Sequence, residues 1–124
     1  MKILATLVRL YLPLDQFDDA VRFYVSLLGE EPQLRFTYQL YGLELVQVGT
    51  MLLIGGSSES IEPFARTKAT FLVECLDEFA TGLPTMGAEI LEGIREVPTG
   101  RNMLVRHPDG AIVEYVEHRP RPSR

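Results

Sequence analysis

The residue with the most chemistry to explain is Glu114. It sits inside Ile112-Val113-Glu114-Tyr115-Val116, an apolar, β-branched and aromatic run that reads as a strand. A carboxylate bordered by such neighbours is costly unless it is paired, bound to a metal or open to a cavity. His107-Pro108-Asp109-Gly110 precedes it. There Pro108 fixes φ, and Asp109 and Gly110 suit the positions of a tight turn. The other reactive side chains stand apart. His107 reads as a surface turn residue and His118 as exposed near the end of the chain, with no second His or Cys at ligand spacing. Cys75 lies at a strand-to-helix junction without a cue for activation and reads as buried and inert. Arg101 and Arg106 read as pointing to solvent.

The bulk composition narrows the setting. A chain of 124 residues suffices for one domain with a real core, and 46% hydrophobic with 23% charged residues is ordinary for a globular protein. A net charge of −5 gives no electrostatic support to nucleic-acid binding. The single cysteine forbids an internal disulfide, and a cytoplasmic setting is expected. No apolar run approaches a membrane span, and the apolar start, interrupted by Arg9, is expected to be a strand rather than a signal peptide.

The elements that must position these residues follow from periodicity. Ile3 to Leu12 reads as a buried strand that Pro13 ends. Asp15 is expected to cap a helix to Leu28, with Phe17, Val21, Tyr24 and Leu28 at helical spacing and Gly29 closing it. Strands are expected at 33–38, 43–48 and 51–54, then an irregular polar linker from Gly55 to Lys68 anchored by Phe64. A strand at 69–74 and a helix at 76–86 follow. Gly82 and Pro84 predict that this helix is short or kinked. Strands at 88–96 and 103–106 lead into the turn and the last strand.

The chain is therefore a repeat of strand, helix and three strands, and the helix entries share Leu14-Asp15-Gln16-Phe17 and Leu76-Asp77-Glu78-Phe79. A helix alignment that sets Phe17 against Leu76 places Arg9 opposite Lys68, a few residues from the register of the shared motif.

Phe23-Tyr24 with Leu27-Leu28-Gly29, Phe71-Leu72-Val73-Glu74, Met86-Gly87-Ala88-Glu89 and His107-Pro108-Asp109-Gly110 with Glu114 occur in an order that resembles the vicinal oxygen chelate superfamily. That superfamily includes glyoxalase I, extradiol dioxygenases, methylmalonyl-CoA epimerase and bleomycin-resistance proteins. The resemblance implies an α+β fold of two βαβββ modules forming curved mixed sheets around a cavity. It makes residues 1–124 a single domain: module 1 at about 3–55, a linker at 56–67, module 2 at about 68–118 and a disordered tail at 119–124. It also implies a homodimer.

Metal-dependent members place four ligands on the first and last strands of the modules. The corresponding positions here are Arg9, Leu53, Lys68 and Glu114, and only Glu114 carries a ligand-type side chain. The expectation is a metal-independent protein that binds a small molecule, an antibiotic or an anionic aromatic compound. Arg9, Lys68, Glu114, Leu53, Phe36, Tyr38 and Met103 are the expected ligand contacts, with Tyr41 and Phe64 as further aromatic lining. No cofactor, nucleic acid or membrane is expected. The alternative is a metal-dependent lyase, isomerase or dioxygenase resembling glyoxalase I, which would draw on Glu44, Gln47, Glu74 or His107 beside Glu114.

Overall fold

The computed structural model describes residues 1–119. The fold is α+β, and the repeat expected from the sequence is present. β1 (Ile3–Leu12), α1 (Leu14–Leu28), β2 (Leu34–Tyr38), β3 (Leu43–Val48) and β4 (Met51–Gly55) form the first βαβββ module. β5 (Thr67–Val73), α3 (Leu76–Thr85), β6 (Glu89–Val97), β7 (Gly100–Arg106) and β8 (Ile112–His118) form the second. Between them lie the single-turn helix α2 (Ser58–Ile61) and a 3₁₀ turn, Glu62–Phe64. The linker is thus more ordered than its composition suggests. The Ser57 hydroxyl accepts from the Ser60 amide and starts α2.

Two compact units result, Leu7–Arg66 and Thr67 onward joined by Met1–Thr6. The N-terminal unit orders its strands β2-β3-β4-β1, with β1 parallel to β4 and the other neighbours antiparallel. Its core is the apolar face of α1, Phe17 and Val21, laid on Val46, Val48 and Leu53. The C-terminal unit orders its strands β5-β8-β7-β6, with β5 parallel to β8. There Leu76, Phe79 and Leu83 of α3 pack on Val73, Met103, Val105, Val113 and Tyr115. The first residues of the chain serve this unit: the Lys2 carbonyl accepts from the Glu74 amide, and the Met1 amine pairs with Glu78.

Two helix expectations are corrected. Asp15 lies inside the first turn of α1; the flanking residue is Pro13, with no side-chain cap. α3 runs unbroken through Gly82 and Pro84 to Thr85. Pro84 falls in the last turn, so it forfeits a single intrahelical bond, while the carbonyls of Gly82, Leu83 and Pro84 receive bonds from the Thr85 hydroxyl and the amides of Met86, Gly87 and Ala88. Gly82 faces the Met1 side chain. A Cβ there would lie 2.7 Å from the Met1 sulfur. The expected tail is represented by Arg119 alone, whose amide bonds to the Thr99 carbonyl; residues 120–124 lie outside the described residues.

Candidate functional site

Strand alternation decides which side chains are available for chemistry. In the N-terminal unit, Leu12, Met51, Leu53, Val46 and Val48 point to α1. Their neighbours therefore share the opposite face. Register aligns one row as Tyr11, Ile54, Leu45 and Phe36, and the next as Arg9, Leu52, Gln47 and Leu34. Along this face runs a chain of aromatic contacts. Phe36 meets Tyr38 at 6.4 Å, Tyr38 meets Tyr41 at 4.8 Å, and Tyr41 meets Phe64 at 5.1 Å, the last two edge-on. All four rings are half-buried. At the β1 end, Arg9 Nη1 donates to the Tyr11 hydroxyl at 2.8 Å, and that hydroxyl donates to the Phe64 carbonyl at 2.5 Å. The face therefore combines π surface with a guanidinium.

The matching face of the C-terminal unit is polar. Register aligns Thr70, Glu114, Leu104 and Glu92 in one row and Leu72, Val116, Asn102 and Arg95 in the next. The Thr70 hydroxyl donates to Glu114 Oε1 at 3.0 Å, and Asn102 Nδ2 donates to Glu114 Oε2 at 2.7 Å. Arg95 Nε donates to Asn102 Oδ1 at 3.2 Å, which fixes the amide with its NH₂ toward Glu114. His118 lies on the same face; burial lowers its pKa, and the Glu114 charge opposes that shift.

On the other side of β8, Glu117 is 1% exposed. Its Oε1 accepts from the Leu76 amide at 2.9 Å and from Arg101 at 3.3 Å, and its Oε2 accepts from Arg119 at 2.9 Å. Burial pushes this carboxyl up, but the amide bond and the two guanidinium groups outweigh it, so it titrates below the usual carboxylate range. Arg101 also bonds to Asp77.

These placements correct several expectations. Leu53 is fully buried beneath α1, and Met103, 1% exposed, is buried beneath α3; neither faces Arg9 or Glu114. Leu52 is the residue paired with Arg9, one position away. Lys68 is an exposed residue at a bulge in β5, and Thr70 holds the place opposite Glu114. A slip of one residue turns a side chain to the other face, and both faces of these strands carry apolar residues, so alternation alone left the register open. Arg9, Phe36 and Tyr38 lie on the face opposite α1, with Tyr41 and Phe64 joined to them in the ring chain. Arg101 is drawn inward to Glu117 rather than to solvent, whereas Arg106 bonds to Glu89 at the surface. His107 is half-buried, with Nε2 2.7 Å from the Tyr115 hydroxyl and its ring beside Phe71. Cys75 is half-buried and flanks the start of α3. Sequence reasoning missed Thr70, Asn102, Arg95 and Glu117; uncharged polar side chains such as Thr70 and Asn102 give no local cue that they meet a carboxylate.

A crystal structure of an uncharacterized protein from Methanosarcina mazei matches with a TM-score of 0.84 at 47% identity, over 99% of this chain and 98% of that one. At that identity the two chains belong to one family. Methylmalonyl-CoA epimerase from Mycobacterium tuberculosis matches with a TM-score of 0.70 at 18% identity, over 95% of this chain and 90% of that one. A variant of methylmalonyl-CoA epimerase from Streptomyces coelicolor, solved with 2-nitronate-propionyl-CoA, matches with a TM-score of 0.62 at 17% identity, over 99% and 100%. At under 25% identity these two matches show a shared fold: the chain is folded like the methylmalonyl-CoA epimerases. No family model matches the chain, and no curated protein matches it in sequence.

The residues that the resemblance assigns to metal positions, Arg9, Leu53, Lys68 and Glu114, do not fit a metal, and neither do Leu52 and Thr70, which the register sets beside Arg9 and Glu114. The paired positions on the first and last strands hold Arg9 with Leu52 in one unit and Thr70 with Glu114 in the other. A guanidinium stays protonated, leucine has no donor atom, and both Glu114 oxygens accept hydrogen bonds. Among the described residues, no three His, Cys, Asp or Glu side chains are grouped to hold an ion. Glu44 accepts from Thr37, and Gln47 Nε2 bonds to the Gly49 carbonyl.

Proposed function

We propose that this protein binds a small anionic aromatic molecule without a metal, and that the aromatic face of the N-terminal unit receives it. The observation that carries the reading is the chain of half-buried rings from Phe36 through Tyr38 and Tyr41 to Phe64, with Arg9 on the same sheet face. Half-buried rings offer π surface at small entropic cost, and a guanidinium selects carboxylate, sulfonate or phosphate. Leu53 and Met103 lie in the cores behind the two sheet faces. The protein acts as a homodimer in the cytoplasm, with Phe23 and Leu27 among its large exposed apolar side chains. No helix among the described residues is long and apolar enough to cross a membrane.

The test is a thermal-shift and calorimetric screen of aromatic carboxylates, sulfonates and phosphates, with the anionic fluorophore 1-anilinonaphthalene-8-sulfonate as first probe. A ligand at 100 times its Kd stabilises the fold by about 2.7 kcal/mol, which such a screen detects. Arg9→Met is expected to abolish the preference for anionic over neutral analogues. Absence of binding by every aromatic anion would remove the proposal. The fold neighbours named as epimerases motivate the rival reading, a metal-dependent lyase, isomerase or dioxygenase. A stoichiometric transition metal in protein purified without chelator would favour that rival.

A further inference from the structure

We propose that Tyr11 is a positioning residue: its hydroxyl latches the segment Ser57–Phe64 to the sheet and sets how fast a ligand leaves the aromatic face. The inference rests on that face being the ligand site, and its test separates the two.

The segment is held to itself by local bonds. The Ile61 amide donates to the Ser57 carbonyl, the Ser60 amide to the Ser57 hydroxyl oxygen, and the Ala65 amide to the Glu62 carbonyl. None of the residues in α2 or the 3₁₀ turn is buried, so this stretch is tied down by contacts at its edges rather than by a core of its own. The Tyr11 bond is of another kind. It joins β1 to the Phe64 carbonyl across 53 positions of sequence, from a hydroxyl that also accepts from Arg9. The peptide group it clamps carries the Phe64 ring, and that ring packs edge-on to Tyr41 at 5.1 Å and ends the aromatic chain. Fixing the carbonyl therefore fixes the last ring. A ligand lying along the rings is confined at that end by a side chain whose backbone Tyr11 holds. The link to Arg9 makes the latch and the proposed anion contact neighbours, since the guanidinium carbon lies 6.0 Å from the Tyr11 ring centroid.

Tyr11→Phe removes the hydroxyl and keeps the ring. Hydrogen exchange by mass spectrometry is expected to show the amides of 58–62 and Phe64 exchanging roughly fivefold faster, the worth of one net hydrogen bond, with β3 and β4 unchanged. Stopped-flow displacement is expected to show 1-anilinonaphthalene-8-sulfonate leaving faster by a similar factor. Phe64→Ala keeps the clamped carbonyl and removes the ring; it is expected to weaken probe binding while leaving exchange at 58–62 at the wild-type rate. Unchanged exchange in Tyr11→Phe, or acceleration spread evenly over residues 7–66, would overturn the latch. Absence of probe binding to the wild type would sink the aromatic-face reading, and the exchange comparison would still decide the role of Tyr11.

Discussion

The two units share one plan and fill its corresponding places with opposite chemistry. Where the N-terminal unit pairs Arg9 with Leu52 between its parallel strands, the C-terminal unit pairs Thr70 with Glu114. Where one face is lined by rings, the other carries Asn102, Arg95 and Glu92 around a carboxylate. The end of the last strand differs as sharply. Gly55 ends β4, and the Phe17 ring packs so closely that a Cβ there would lie 2.4 Å from it. Near the end of β8 stands Glu117, whose carboxylate takes the first amide of α3. Neither helix has a side-chain cap from its flanking residue, Pro13 or Cys75. One unit seats its helix by ring packing against glycine and the other by a buried ion. The backbone plan therefore constrains burial and spacing, and leaves the chemistry of the two non-helix faces free to diverge.

The largest way to break this comparison is Glu117→Leu. Removing this carboxylate leaves the Leu76 amide and Arg119 without their acceptor and Arg101, whose side chain is 14% exposed, with Asp77 as its acidic partner, and costs roughly 3 kcal/mol. Urea unfolding at neutral pH measures it; a loss below about 1 kcal/mol would mean that the carboxylate is dispensable for seating α3. The linkage has a definite sign. The Glu117 carboxyl is held below its ordinary 4.5, so its contribution is complete above that value and is lost as pH falls through the lower folded value. In Glu117→Gln this acid limb of the stability curve is expected to flatten.

Gly55→Ala probes the counterpart. Overpacking against the Phe17 ring is expected to cost about 1–3 kcal/mol. Alanine at wild-type stability would show that α1 shifts freely on its sheet, and the contrast with α3 would lose its basis.

The fold was legible because periodicity and punctuation agree in both halves. The shared Leu-Asp-x-Phe entries and the glycine after Leu28 locate α1 and α3 well, and Phe17 and Phe79 do occupy the same role in the two cores. The site was less legible, because register is decided by packing. Nothing local tells that β5 bulges at Lys68, which moves the partner of Glu114 to Thr70. Leu52 and Leu53 are both buried leucines, so hydrophobicity cannot say which one faces Arg9. Arg101 looked like a solvent cation because its partners, Asp77 and Glu117, come from distant elements. Glu117 itself lies at the end of an apolar strand, where a carboxylate is ordinarily a surface residue.

Asn102→Leu sharpens the contrast between faces. Asn102 is 7% exposed, and its loss leaves Glu114 Oε2 without that donor and frees Arg95 Nε. A cost of about 1–3 kcal/mol is expected, as for other groups left without a buried partner. On the aromatic face the positions between Tyr11 and Phe36 are Ile54 and Leu45, which carry no polar group, so Leu45→Ile is expected to change stability by less than about 1.5 kcal/mol. Equal costs in chemical denaturation would erase the distinction.

The smallest expected effect reads the charge on the polar face directly. Burial lowers the His118 pKa from 6.5, and the Glu114 charge pulls it back up. The unfolded chain therefore binds more protons than the folded one just below that value, so stability rises with pH there and the contribution disappears as pH falls through the folded value. Because His118 is only half-buried, the slope is shallow, and NMR titration of its imidazole is the sharper measurement. The wild-type ring is expected to titrate below 6.5, and in Glu114→Gln lower still, since the opposing charge is gone. An unchanged titration in that variant would mean that the Glu114 charge does not reach His118. The polar face would then be a set of separate bonds rather than one electrostatic surface, and its difference from the aromatic face would be one of side-chain shape alone.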